Sequence, residues 1–333
     1  MIMSERAALP IPSQRKRNQK RNRRLFLIAL FAVIFLSVRV VVHPINDTDY
    51  VNTTDALHAF LAGQNPYSVV GHYMPPWSLF FLTPLVNQPV ETWLALDVAL
   101  FVTAVIDLGG PAGLLLMAHP AFITLIASAN PEWLFVGTGL WLLYHEPRGW
   151  LRGVTWLLLT CKPQTTFFVL IVDGMRAVRE RDWKAIGLAA IGAIGTLVLY
   201  PQFFERMTHL FQWSTSVLPN FGILGALIVT SAIVGMRWKR HVDLRTMGLL
   251  LAPVWSPYML EYSYVGASFT LRGAVWWRIV LYVAGSIALA YLFWRDYHVH
   301  EWIGALGMVL LAALLAPADT SAKAKDIDKR SEM

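Results

Sequence analysis

The chain has 333 residues, is 56% hydrophobic and has a mean hydropathy of +0.49, whereas soluble domains lie nearer about 45–50% apolar. Its net charge of +7 is concentrated: residues 15–24, RKRNQKRNRR, hold seven of the 28 basic residues, and the other 21 balance the 21 acidic ones. A nucleic-acid-binding face is thereby excluded, and with one cysteine, Cys161, so are a disulfide framework and a thiolate metal site.

A basic tail before an apolar run sets membrane orientation and meets anionic lipid. Residues 1–24 are read as a cytoplasmic tail, 25–316 as a transmembrane domain and 317–333 as a polar C-terminal tail of undecided side. The first run, Leu25 to Val42, spans about 27 Å as a helix, close to the hydrocarbon thickness. It lacks the short apolar core and small-residue cleavage site of a signal peptide, so a retained helix is expected. Arg39 lies one turn from its end, within reach of the interface or of a lipid phosphate. Further apolar stretches cover 76–87, 93–109, 112–128, 131–144, 153–172, 185–200, 218–236, 245–259, 276–294 and 301–316. The stretches 76–87 and 131–144 are short enough to be re-entrant. The expected fold is an all-α, polytopic transmembrane bundle of about ten or eleven membrane helices. Two further basic clusters, Arg176 to Lys184 and Arg237 to Arg245, mark inside loops, which places 43–75, 201–217 and the stretch after Tyr258 outside.

The outer loop 43–75 is too long for a plain connector. Its segment DTDYVNTTDALHAFLAGQNPY carries Asp47, Asp49, Asp55 and His58, and no Lys or Arg occurs between Arg39 and Arg148. Helical spacing of Leu57, Phe60 and Leu61, with Gly63 as a stop, predicts a short interfacial helix over 53–62, with Asp49 just before it. Asp49 and Asp55 are equally natural as helix caps. Two other stretches turn the reading toward a site. In LLLTCKPQTTFF, Lys162-Pro163-Gln164 sits near the middle of an apolar span, and a lysine there costs about 2.5–3.5 kcal/mol on insertion scales. Such a residue pairs with an acid, Asp97, Asp107 or Glu132 being candidates, or receives an anionic ligand. In VWSPYMLEYSYV, Glu261 follows Ser256-Pro257 among Tyr258, Tyr262 and Tyr264, a setting suited to carbohydrate or to an interfacial aromatic belt.

These stretches together resemble the family 87 glycosyltransferases of the GT-C superfamily. The match reads Asp49-Tyr50, then Ala56 to Ala59, then Leu61-Ala62-Gly63-Gln64-Asn65-Pro66-Tyr67, then Met74-Pro75-Pro76. Lys162-Pro163-Gln164 resembles the family's middle-helix Lys-Pro-Gln, and Ser256-Pro257-Tyr258 with Glu261 its later Ser-Pro motif. Met74 stands where a Tyr is usual, and Ala129-Asn130-Pro131-Glu132 occupies the region of a Gly-Gln-x-Asn stretch.

The resemblance implies a GT-C-like multi-pass protein of the cell membrane, N-terminus cytoplasmic, with its site on the extracytoplasmic side. It implies transfer of a hexose, mannose in the nearest pattern, from a polyprenyl-phosphate donor to a lipid or glycan acceptor, with inversion. Asp49 becomes the general base. Asp55, His58, Tyr67, Lys162, Gln164, Tyr258, Glu261 and Arg39 become substrate-binding residues, Lys162 or Arg39 neutralising the leaving phosphate. No cofactor, metal or nucleic acid is expected; donor, acceptor and membrane lipids are the partners. The competing expectations are a transporter or lipid flippase and a non-catalytic envelope-assembly protein of the same fold.

Overall fold

The computed structural model describes residues 14–41, 48–69, 71–208, 217–237, 243–256, 264–293 and 301–317, and all regular structure among them is helical. Four helices are long and apolar enough to cross a membrane, at 21–41, 90–109, 217–237 and 276–293. The protein is thus a helical membrane protein, and shorter apolar helices fill the bundle between those four.

Helix α1, Gln14–Val41, packs a stripe of Leu30, Ile34 and Val38 partly against the core and turns the rest of its apolar half outward, none of its membrane window being fully buried, as a helix at the lipid-facing edge of a bundle does. It runs against α4, Val90–Gly109, with Arg23 paired to the buried Asp107 at 2.7 Å. Between them come α2, Thr48–Leu61, and the short α3, Pro76–Leu82, which begins at the Pro75-Pro76 pair. Pro suits a first helical turn because its missing N–H has no partner there anyway.

Two expected spans are broken ahead of a proline, and a third, 218–236, kinks at Gly222, with φ 68 and ψ −174. The stretch 112–128 is a 3-10 segment, Pro111–Ala118, followed by α5, Pro120–Ala127. His119 between them is extended, with ψ 134, because a residue ahead of proline is driven out of the α region. The stretch 153–172 divides in the same way into α7, Trp150–Leu159, and α8, Pro163–Glu180, after α6, Glu132–Tyr144. Lys162 is held out of the α region before Pro163, with φ −134 and ψ 70. Thr166, just beyond this break, occupies the Leu159 carbonyl that Pro163, lacking an N–H, leaves without its helical donor. Thr166 Oγ1 donates to the Leu159 carbonyl at 2.7 Å, and Thr160 Oγ1 to Trp156 at 2.9 Å. Lys162 therefore stands at a turn between two helices rather than inside one.

The remaining elements are α9, Trp183–Leu199, α10, Gln202–Thr208, α11, Val217–Arg237, α12, Leu244–Trp255, α13, Val265–Ser268, α14, Trp276–Phe293, and α15, Glu301–Leu315. Contacts define two ends of the bundle. One end gathers the basic clusters. There Arg152 holds Asp173 at 2.8 Å and Glu180 at 2.7 Å, Arg245 reaches Asp173 at 3.1 Å, and Arg176 reaches Glu146 at 2.9 Å. Arg237 caps the last turn of α15 through the Ala316 carbonyl at 2.6 Å, so residue 317 leaves the bundle at this same end. The opposite end carries α2, the loop to α3, the Lys162 turn and α10. A large apolar core built from Phe101, Phe122, Trp133 and Phe269 lies between, and a second core of Leu57, Trp77, Leu79 and Trp93 supports α2 and α3.

A cleft at the end opposite the basic clusters

Helix α2 starts earlier than its hydrophobic spacing implies, so Asp49 lies inside its first turn, not ahead of it. This fixes its direction. Asp49 and Thr53 are four residues apart and share the helix face that also buries Ala56 and Leu57. Asp55 and His58 project from the exposed face. Tyr50 anchors the helix: its hydroxyl donates to the Gln88 carbonyl at 2.9 Å, and its ring meets Trp93 edge-on.

The loop after α2 folds back beneath it. Gly63, at φ 71, ends the helix, and the Asn65 side chain caps the turn by accepting from Tyr67 N. Gly71, at φ 83, lies so close to Asn52 that a Cβ there would come within 2.2 Å of its side-chain nitrogen. Tyr67 is buried. Its hydroxyl donates to the Met74 carbonyl at 2.8 Å, and its own carbonyl accepts from Arg206 at 2.8 Å.

These elements enclose a cleft of about 60 Å³ that opens to solvent. Asp49, Lys162 and Gln164, from two distant parts of the sequence, all line it. Asn130, just ahead of α6, donates to the Asp49 carboxylate at 2.8 Å. Its approach depends on Ala129, which holds the left-handed φ of 50, a conformation costing a non-glycine residue roughly 1–2 kcal/mol. His72, 1% exposed, also lines the cleft. Burial, and then the charges of Lys162 and Arg206, push its pKa down to about 3, so the ring is neutral. The cleft thus offers a carboxylate held by an amide, a cation on a proline turn, a second amide in Gln164, and a neutral imidazole. A carboxylate accepts a proton from a hydroxyl and a cation receives an oxyanion, the two elementary needs of group transfer from a phosphate.

Other expected site residues are placed elsewhere. Asp55 and His58 are exposed on the far face of α2, and Arg39 is exposed near the end of α1; none lines the cleft. Tyr67 borders a neighbouring polar hollow with Asn65, Gln202, Glu205 and Arg206. Tyr258 and Glu261 lie outside the described residues. Asp107, one suggested partner for Lys162, is at the opposite end, bound by Arg23, Trp141 and His145.

Sequence reasoning overlooked His72 and gave Asn130 no role. A lone histidine carries no pattern, but an Asn-Pro pair opening a helix was a readable turn signal. Among the described residues no group of three His, Cys, Asp or Glu side chains is placed to hold a metal ion. Comparison with protein families, curated proteins and solved structures finds no match to this chain.

Proposed function

We propose that this protein is a membrane glycosyltransferase that moves a hexose from a polyprenyl phosphate to a lipid or glycan acceptor on the outer side of the membrane. One observation carries the reading: Asp49, Lys162 and Gln164, taken from two separate stretches that resemble family 87 glycosyltransferases, line a single cleft. That cleft is at the end of the bundle opposite the basic clusters, and lysine- and arginine-rich loops stay in the cytoplasm.

In this reading the acceptor hydroxyl enters from the aqueous side and is deprotonated by the Asp49 carboxylate. Its oxygen forms a bond to the anomeric carbon from the face opposite the phosphate. The anomeric carbon–oxygen bond to phosphate breaks, the electron pair leaves on the phosphate, and configuration inverts. Lys162 meets the charge that gathers on the leaving phosphate. Asn130 holds the Asp49 carboxylate in direction, so that its free oxygen faces the hydroxyl. The lipid tail of the donor lies along the apolar helices, and only the phosphosugar enters the cleft.

The test is direct. Purified protein in lipid vesicles is given a radiolabelled polyprenyl phosphomannose and a polyprenyl-linked glycan acceptor. Label passing to the acceptor supports the transferase. Label crossing the bilayer without a new glycosidic bond identifies a flippase instead, and neither outcome leaves the assembly role.

A further inference from the structure

We infer that His72 recognises a hydroxyl of the transferred hexose and so sets which sugar the cleft accepts; the inference rests on the transferase reading above. His72 lies between Gly71, at φ 83, and the start of α3, and its ring stands against Tyr67 at 5.5 Å between centroids. It is 1% exposed, it lines the same cleft as Asp49 and Lys162, and among the described residues neither Nδ1 nor Nε2 has a hydrogen-bond partner. Buried polar atoms are paired in native proteins, and leaving two unpaired on one ring is costly unless a ligand or water completes them.

The chemistry of the ring narrows what that ligand is. Burial, and then the nearby cations Lys162 and Arg206, keep His72 neutral. A neutral imidazole presents one N–H donor and one bare acceptor nitrogen. Either nitrogen can face the cleft as donor or as acceptor, depending on the tautomer. A phosphate oxygen only accepts, so it pairs with the N–H alone, whereas a hydroxyl both donates and accepts and pairs with whichever nitrogen faces the cleft. The cations already present are the natural receivers of the phosphate. This divides the cleft into a charged part for the leaving group and a neutral part for the sugar. A site built to bond a substrate hydroxyl rejects an analogue lacking it far more strongly than an apolar pocket can.

The experiment measures binding of two probes to the full-length protein in detergent: a polyprenyl phosphomannose and the bare polyprenyl phosphate. For His72→Phe, which keeps a flat ring and removes both nitrogens, affinity for the phosphomannose is expected to fall at least about tenfold. Affinity for the bare phosphate stays within about twofold of wild type. His72→Gln restores most of the loss, since its amide carries donors and an acceptor. Lys162→Met weakens both probes together. An equal loss of both probes in His72→Phe, or no loss of either, overturns the inference and leaves the transferase reading standing. A wild-type protein that binds neither probe removes both. Should His72→Phe not fold, deoxymannose donors on the wild-type protein decide the matter. One of the 2-, 3-, 4- and 6-deoxy donors must bind at least about tenfold more weakly than the parent, and equal binding of all four overturns the inference.

Discussion

Asn130 donates its side-chain N–H to the Asp49 carboxylate, Nδ2 to Oδ2 at 2.8 Å, across 81 positions of sequence. A hydrogen bond to a charged group contributes about 1.5–3 kcal/mol, and here it also fixes which way the carboxylate faces. Asn130→Ala is expected to lower the turnover of sugar transfer by about 10- to 100-fold. The KM for the donor should hold within about twofold, because Lys162 and the apolar helices still receive it. A rise in KM with unchanged turnover would make Asn130 a binding residue rather than one that positions Asp49.

At the other end, Asp173 is held by Arg152 and Arg245, and its carboxylate also accepts from Trp156 Nε1 at 2.9 Å. The Arg152 and Asp173 side chains are 3% and 2% exposed. Removing Asp173 leaves Arg245 without this buried partner and Arg152 with only Glu180 and Asp182, at a cost of up to about 3–5 kcal/mol. Asp173→Asn should therefore lower the thermal midpoint sharply. The fraction that remains folded should bind donor normally, because the cleft lies at the opposite end of the bundle. Weakened donor binding in folded protein would mean that the two ends are coupled.

His72 gives stability a pH dependence with a definite sign. Its folded pKa of about 3 lies below the ordinary 6.5. The unfolded state takes up the proton first as pH falls, so the histidine's contribution favours folding above about 6.5 and opposes it progressively down to about 3. The slope in that window is about 1.4 kcal/mol per pH unit. Unfolding scans from pH 7 to pH 4 should show the midpoint fall, and His72→Phe should flatten the fall. An unchanged slope in the variant would assign the effect to other groups.

The arrangement of ends predicts sidedness. Ser68 is exposed at the cleft end, Arg148 is exposed at the basic end, and the native Cys161 is buried. In intact cells an impermeant thiol reagent should label Ser68→Cys and leave Arg148→Cys untouched. The reverse pattern would put the cleft in the cytoplasm and remove the outward-facing site.

Much of this was legible in the sequence, and particular residues show where legibility stopped. Apolar runs announced the four helices long and apolar enough to cross a membrane, while the other expected spans are shorter or broken helices, and the three basic clusters, distant in sequence, do meet at one end of the bundle. The sequence places Lys162 near the middle of one apolar span, whereas the chain breaks there ahead of Pro163 and Thr166 satisfies the Leu159 carbonyl that the break exposes. The start of α2 was set by Leu57, Phe60 and Leu61 alone, and that choice hid the phase of Asp49. Counting turns from Thr48 shows Asp49 and Thr53 on one face and Asp55 on another, because six residues are well short of two full turns. Asn130 and His72 join the cleft only through tertiary folding, which no local pattern reports.

The central claim is that Asp49 is the base of a sugar transfer, and the rate of transfer in two aspartate variants tests it most directly. Asn keeps the size of Asp49 and a hydrogen-bonding oxygen for its neighbours, but it cannot take up the proton. With labelled polyprenyl phosphomannose, Asp49→Asn should lose about 10²- to 10⁴-fold in rate while still binding donor. Asp55→Asn, altered on the exposed face of the same helix, should stay within about twofold of wild type. Transfer by Asp49→Asn at the wild-type rate would contradict the account.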